Sequence, residues 1–232
     1  MKKEYDTSDK AWEVYKKMYE ENLNFSDIKQ DSGSPHIKIQ FMHVEKISSE
    51  MDFSGEVDFN FSEDSPIMSL GMGKGKRYRT RYIHYKMILE QDSADEYYIN
   101  MLEECKNRHH SPENISIMPQ TGNMQGTKQQ IGLDRLDVWL LVLNMKYENN
   151  INLLQNHCTM ENFMPIQYFL DLFDDVYDYA KTIYHIDREL VDDLIESGKK
   201  PLNSSYNIIN YMLLAKRFWK QKKRYWDSKN PK

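Results

Sequence analysis

Two groups of side chains in this sequence are spaced for chemistry with phosphate or with a metal. From Lys74 to Glu90 six basic residues stand against one acid, and on a helix Arg77, Arg81 and His84 would flank Tyr78, Tyr82 and Tyr85. A guanidinium contacts phosphate while a neighbouring ring stacks on a base, so the pattern suits a nucleic acid or phosphorylated ligand. Tyrosines at helical spacing more often serve a core. The second group is acidic: Met160 to Gly198 holds ten acids against two bases, with Asp171, Asp174, Asp175 and Asp178 at i, i+3, i+4 and i+7. On one helix these carboxylates share a face that either holds a hard cation through oxygen or stays solvated and paired with arginine. Asp174, Asp175 and Asp178 are the metal candidates on that spacing, although no metal is predicted.

Further polar groups stand at the ends of loops: Lys74, Asn123, Lys128 and Arg135, with Asp64, Asp134 and Asp137. They are of the kinds that converge on a phosphorylated ligand. Arg135 between two aspartates would equally close an ion-pair network that pins the loop to the following helix. His109 and His110 precede a polar loop, but adjacent side chains point apart on most backbones, so at most one of them aims at a shared site. The glycine-rich Gly71 to Lys76 lacks the hydroxyl residue that a phosphate loop places after its lysine, since Arg77 follows, and it reads as a flexible loop.

These residues need a scaffold. Leu133, Leu136, Leu140, Leu143 and Tyr147 recur at steps of three and four, the stripe of an amphipathic helix against which the rest should pack. Ahead of it lies the polar stretch Pro119 to Gly132, with too little apolar surface to bury itself. Helices are expected from Ala11 to Leu23, over Arg77 to Gln91, over Ala94 to Arg108 behind a Ser93/Glu96 capping box, and over Met160 to Ile186. An Asp187-capped helix should stop at Gly198, and the last should run from Tyr206 to Trp226. Alternating apolar residues near Ile37 and Val57 and a short run near Ile115 read as strands. The expected fold is α+β, helix-dominated with a small antiparallel or mixed sheet and a C-terminal helical half, in a single domain over 1–232.

The totals bound the function classes. Of 232 residues 40% are hydrophobic, ample for a core, and the longest apolar run, Val138 to Leu143, is far short of the roughly 20 residues that span a bilayer. A cytoplasmic protein without a membrane partner is expected, its two cysteines, Cys105 and Cys158, serving as packing residues. Leu214 to Lys232 carries eight bases against one acid, cations that suit the negative end of a helix dipole. The net charge of −5 and the acidic pI of 5.8 argue against avid, non-specific duplex binding.

Two resemblances add expectations. Glu113-Asn114-Ile-Ser-Ile-Met, with Asn123 and Lys128 beyond, resembles the second half of an HNH nuclease finger, a family in which asparagine fixes the loop and histidines supply a general base and a metal ligand. The first half is missing, because Ile99 and Asn100 stand where the catalytic histidine belongs. Asp174-Asp175-Val-Tyr-Asp178 likewise spells the aspartate-rich motif of isoprenoid synthases, with no second such motif later in the chain. A broader pattern from about Asp64 to Trp226 takes in Gly73-Lys74, Arg79-Thr-Arg81-Tyr82 with His84, Asn114 to Pro119, and Asp134-Arg135-Leu-Asp137. It resembles a large bacterial family of unknown function, departing from it at Leu136, where that family favours phenylalanine.

The expected function is that of an intracellular bacterial or phage-borne protein binding a phosphorylated or nucleic-acid ligand through Lys74 to Lys86 and the Pro119 to Lys128 loop. One alternative is a magnesium-dependent, HNH-like phosphodiesterase with His110 and Asn123 as the catalytic candidates. The other is a module that binds a protein partner through the acidic face of Asp171 to Asp178. Outside the phosphodiesterase alternative no cofactor is expected.

Overall fold

The computed structural model describes residues 28–30, 36–39, 59–62, 76–108, 112–114, 119–120, 135–153, 167 and 170–229. The helices among them are α1 (Lys76–Gln91), α2 (Glu96–Asn107), α3 (Leu136–Asn149), α4 (Val176–Tyr179), α5 (Arg188–Gly198) and α6 (Ser205–Lys229). A π-helical turn, Ala180–Tyr184, extends α4, and a 3-10 turn, Pro112–Asn114, follows α2.

α3 is the centre of the packed body. Leu136, Trp139, Leu140, Val142 and Leu143 are all buried, so apolar contact extends well beyond the predicted stripe, and α5 lies along it. Of that stripe, Tyr147 is half-buried and donates its hydroxyl to the Leu170 carbonyl at 2.6 Å, while Leu133 lies outside the described residues. α5 brings Leu190, Val191, Leu194 and Ile195 into the same core, and α6 brings Ile208, Tyr211, Met212, Phe218 and Trp219. Tyr179 sits at the middle, its ring edge-on to Trp139, Phe173 and Tyr184.

The α+β expectation is corrected: among the described residues the fold is helical, and every residue of their buried core sits on a helix or on a connection between helices. Short antiparallel backbone pairings do join residues 28–30, 36–39, 59–62 and 119–120, the longest of them four residues. Val57 and Ile115 lie outside the described residues, and the segment just before Ile115 is the 3-10 turn. The N-terminal helix expected over Ala11 to Leu23 also lies outside them.

Local chemistry moved two predicted boundaries. Ser93 does not cap α2; it takes a left-handed conformation with φ 53° and closes α1, where Ala94 N–H reaches back to the Leu89 carbonyl at 2.9 Å. The cap passes to Asp95, whose carboxylate accepts the Tyr97 N–H at 2.8 Å. The helix predicted to run unbroken over Met160 to Ile186 is interrupted, because Leu172 to Asp175 turn away and Asp175 becomes a new N-cap, accepting the Asp178 N–H at 2.7 Å. An aspartate that caps does so by leaving helical geometry, so a run of them competes with helix propagation. Asp187 caps α5 as its position suggested, accepting the Leu190 N–H at 2.9 Å.

Candidate functional site

α6 runs beside α2 in the same direction. Its first residue, Ser205, donates its backbone N–H to Asp92, ahead of α2, and Lys216 further along pairs with Glu104 near the end of α2 at 3.1 Å. Between α2, α5 and α6 lies an open groove of about 910 Å³. Its cations are Arg108, Lys200, Lys216, Arg217, Lys220 and Lys223, and its carboxylates are Glu104, Asp193 and Glu196. Tyr97 and Tyr206 line it as well, both strongly exposed.

Lys216, Lys220 and Lys223 fall at i, i+4 and i+7, so the helical period sets them in one row along the groove. Several cations are already paired: Arg108 with Glu104 and Glu113, Arg217 with Asp193 and Glu189, Lys223 with Asp227. Burial alone would raise the Glu104 carboxyl, but hydrogen bonding and charge from Lys216 and Arg108 hold it below its ordinary value. The hydrogen bond to Asp193 raises the already high pKa of Arg217. These pairs are open to solvent and worth about 0–1 kcal/mol each, so an incoming anion of higher charge density can compete for the same cations. Lys220 and Lys200 have no ion-pair partner among the described residues.

The groove floor meets a buried polar node. Ser197 lines the groove and donates its hydroxyl to Asp137 at 2.8 Å, in the fully buried interface of α3 and α5. Asp137 also accepts two hydrogen bonds from Arg135, Nε at 3.0 Å and Nη2 at 2.5 Å, and a third from the Val138 N–H at 2.9 Å. Arg135 reaches the Lys200 carbonyl and lies 5.1 Å from the Tyr211 ring centroid. Burial alone would lower the pKa of Arg135, and Asp137 outweighs it. Of the two roles open to Arg135, the geometry gives the ion-pair network: its guanidinium is held by Asp137 and the Lys200 carbonyl.

Of the other predicted site residues, His84 is not among those that line the groove. His84 is exposed on α1 near Tyr85, and Arg77 and Arg81 are placed by the α1 backbone alone. Lys74, Asn123, Lys128 and His110 lie outside the described residues. The four aspartates do not share a helical face. Asp171 pairs with Lys146 at 2.8 Å, Asp175 caps α4, Asp174 is exposed, and Asp178 accepts the Asp174 N–H at 3.4 Å. Among the described residues no group of three metal-ligating side chains is found. Asn114 is fully buried and accepts the Trp219 Nε1–H at 2.8 Å, which ties the 3-10 turn to α6.

Comparison with protein-family models, curated proteins and solved structures finds no match. The site therefore stands on its own geometry. Cys105 is buried, and burial pushes its thiol up to about 12, in keeping with a packing residue. No described helix is long and apolar enough to cross a membrane. The sequence did carry the signal for the groove: the cation row on α6 is visible at i, i+4, i+7, and helix-dipole complementarity explained it away.

Proposed function

We propose that the protein binds a phosphate-bearing polyanion in the groove between α2, α5 and α6. The observation that supports this is the charge of the lining, six cations against three carboxylates, on a chain whose net charge is −5. Lys200 and Lys220 have no ion-pair partner among the described residues, and the solvent-open pairs of the other four cations can be exchanged for an incoming anion of higher charge density. The row formed by Lys216, Lys220 and Lys223 spans about 10 Å at 1.5 Å per residue, which suits a ligand with repeated charges better than a single small anion.

Calorimetric titration with inorganic polyphosphate tests this proposal. The wild-type chain should bind, and the double variant Lys220→Glu, Lys223→Glu should lose at least about tenfold in affinity, a cost of about 1.4 kcal/mol. Both side chains point to solvent, so the variant keeps its fold. Unchanged affinity in the double variant would remove the groove from consideration.

A further inference from the structure

We propose that the occupant of the groove is a single strand of nucleic acid, laid along α6 with bases against Tyr97 and Tyr206 at one end and phosphates on the lysine row at the other. This rests on the polyanion reading of the same groove. Its distinct support is the exposure and placement of the aromatics. Tyr206 is 73% and Tyr97 58% exposed, more than any other large hydrophobic side chain described, and both line the groove.

Since α2 and α6 run side by side in the same sense, the first turns of both helices lie at the same end of the groove. The tyrosines belong to those first turns, and the lysines follow further along α6. From Tyr206 to Lys223 is about 25 Å along the helix, or about seven nucleotides at the rise of a stacked strand. An aromatic platform at one end of a cationic track is what a single strand requires, since every base offers a π-face and every linkage a phosphate.

The opposite wall disfavours a duplex. Asp193 and Glu196 of α5, paired with Arg217 and Lys199, line the groove opposite the lysine row of α6. A single strand can turn all its phosphates toward one wall. A duplex carries charge on both flanks and would press its second backbone against those carboxylates. An acidic peptide would match the lysines and leave the tyrosines without a stacking partner.

Fluorescence anisotropy on the full chain separates these occupants, using labelled oligo(dT) and oligo(U) of 4 to about 16 nucleotides, a duplex of about 16 base pairs, polyglutamate and inorganic polyphosphate as probes. Single-strand affinity should rise with length up to about seven nucleotides and then level off, and the duplex and polyglutamate should bind at least about tenfold more weakly. Tyr97→Leu with Tyr206→Leu should lower single-strand affinity by about tenfold or more and leave polyphosphate binding unchanged. A duplex or polyglutamate that binds as well as the single strand, or a double tyrosine variant with full single-strand affinity, overturns this inference even where polyphosphate still binds. Loss of polyphosphate binding in the wild type would instead sink the reading beneath it.

Discussion

Gly198 offers a test in which two physical rules disagree about the sign. It is the last residue of α5, and replacing a helical glycine by alanine ordinarily stabilises by about 0.5–1 kcal/mol through the entropy of the unfolded chain. Here a Cβ would stand 2.8 Å from the Asp137 carbonyl carbon, closer still to its oxygen, and 3.2 Å from Leu141 Cβ. The obstacle is the backbone of α3, held by Arg135, Ser197 and the helix itself, so neither helix can yield cheaply. Overpacking of this kind costs about 1–3 kcal/mol, which exceeds the entropic gain. Gly198→Ala should therefore lower the melting temperature by about 2–8 °C for a chain of this size, measured by circular dichroism. A variant that melts at or above the wild-type temperature would show that α3 and α5 do not approach as closely as described.

Asp137→Ala leaves buried Ser197 without its acceptor and half-buried Arg135 without its carboxylate, and should destabilise by about 3 kcal/mol in urea titration; a loss under about 1 kcal/mol would mean the network is incidental. Lys222 is fully buried with its ammonium 5.6 Å from the Phe218 ring centroid, and burial lowers its pKa to about 7, a shift that Glu113 partly opposes. Between that value and the ordinary lysine value the unfolded chain binds the extra proton, so stability should rise with pH from about 7 toward 10, by up to about 1.4 kcal/mol per unit. Comparing urea midpoints of the wild type and Lys222→Met across that range isolates the group; equal pH dependence in the two would contradict a buried, proton-releasing lysine.

Much of the helical scaffold was legible because its signals are local. The Asp187 cap, the Gly198 stop, and the Leu136, Leu140, Leu143 spacing each depend on a few neighbouring residues, and each appears at its expected place. Competition between local signals was harder to read. Ser93 and Asp95 both resemble caps, and the outcome turned on whether α1 ended in a left-handed residue. The aspartates from Asp171 to Asp178 fit one helical face by spacing, yet Asp175 stabilises more by capping than by continuing the helix.

Strand periodicity misled at the level of fold class. Alternation over a few residues at Ile37 and Phe59 says nothing about whether a sheet becomes a core layer, while the helical stripes among the described residues bury one another. The candidate site was the least legible part, since a groove forms from residues about 100 positions apart, such as Glu104 and Lys216, whose meeting no spacing rule anticipates. Arg135 was the exception, because Asp137 lies two residues away and the network could be read locally.

The most direct test of the groove is the salt dependence of single-strand binding. Three lysine–phosphate contacts should give a slope of about −2 in a plot of log affinity against log salt, and Lys220→Gln should reduce its magnitude by about 0.7. A slope near zero, or one that Lys220→Gln leaves unchanged, would contradict the assignment of this groove to a polyanion.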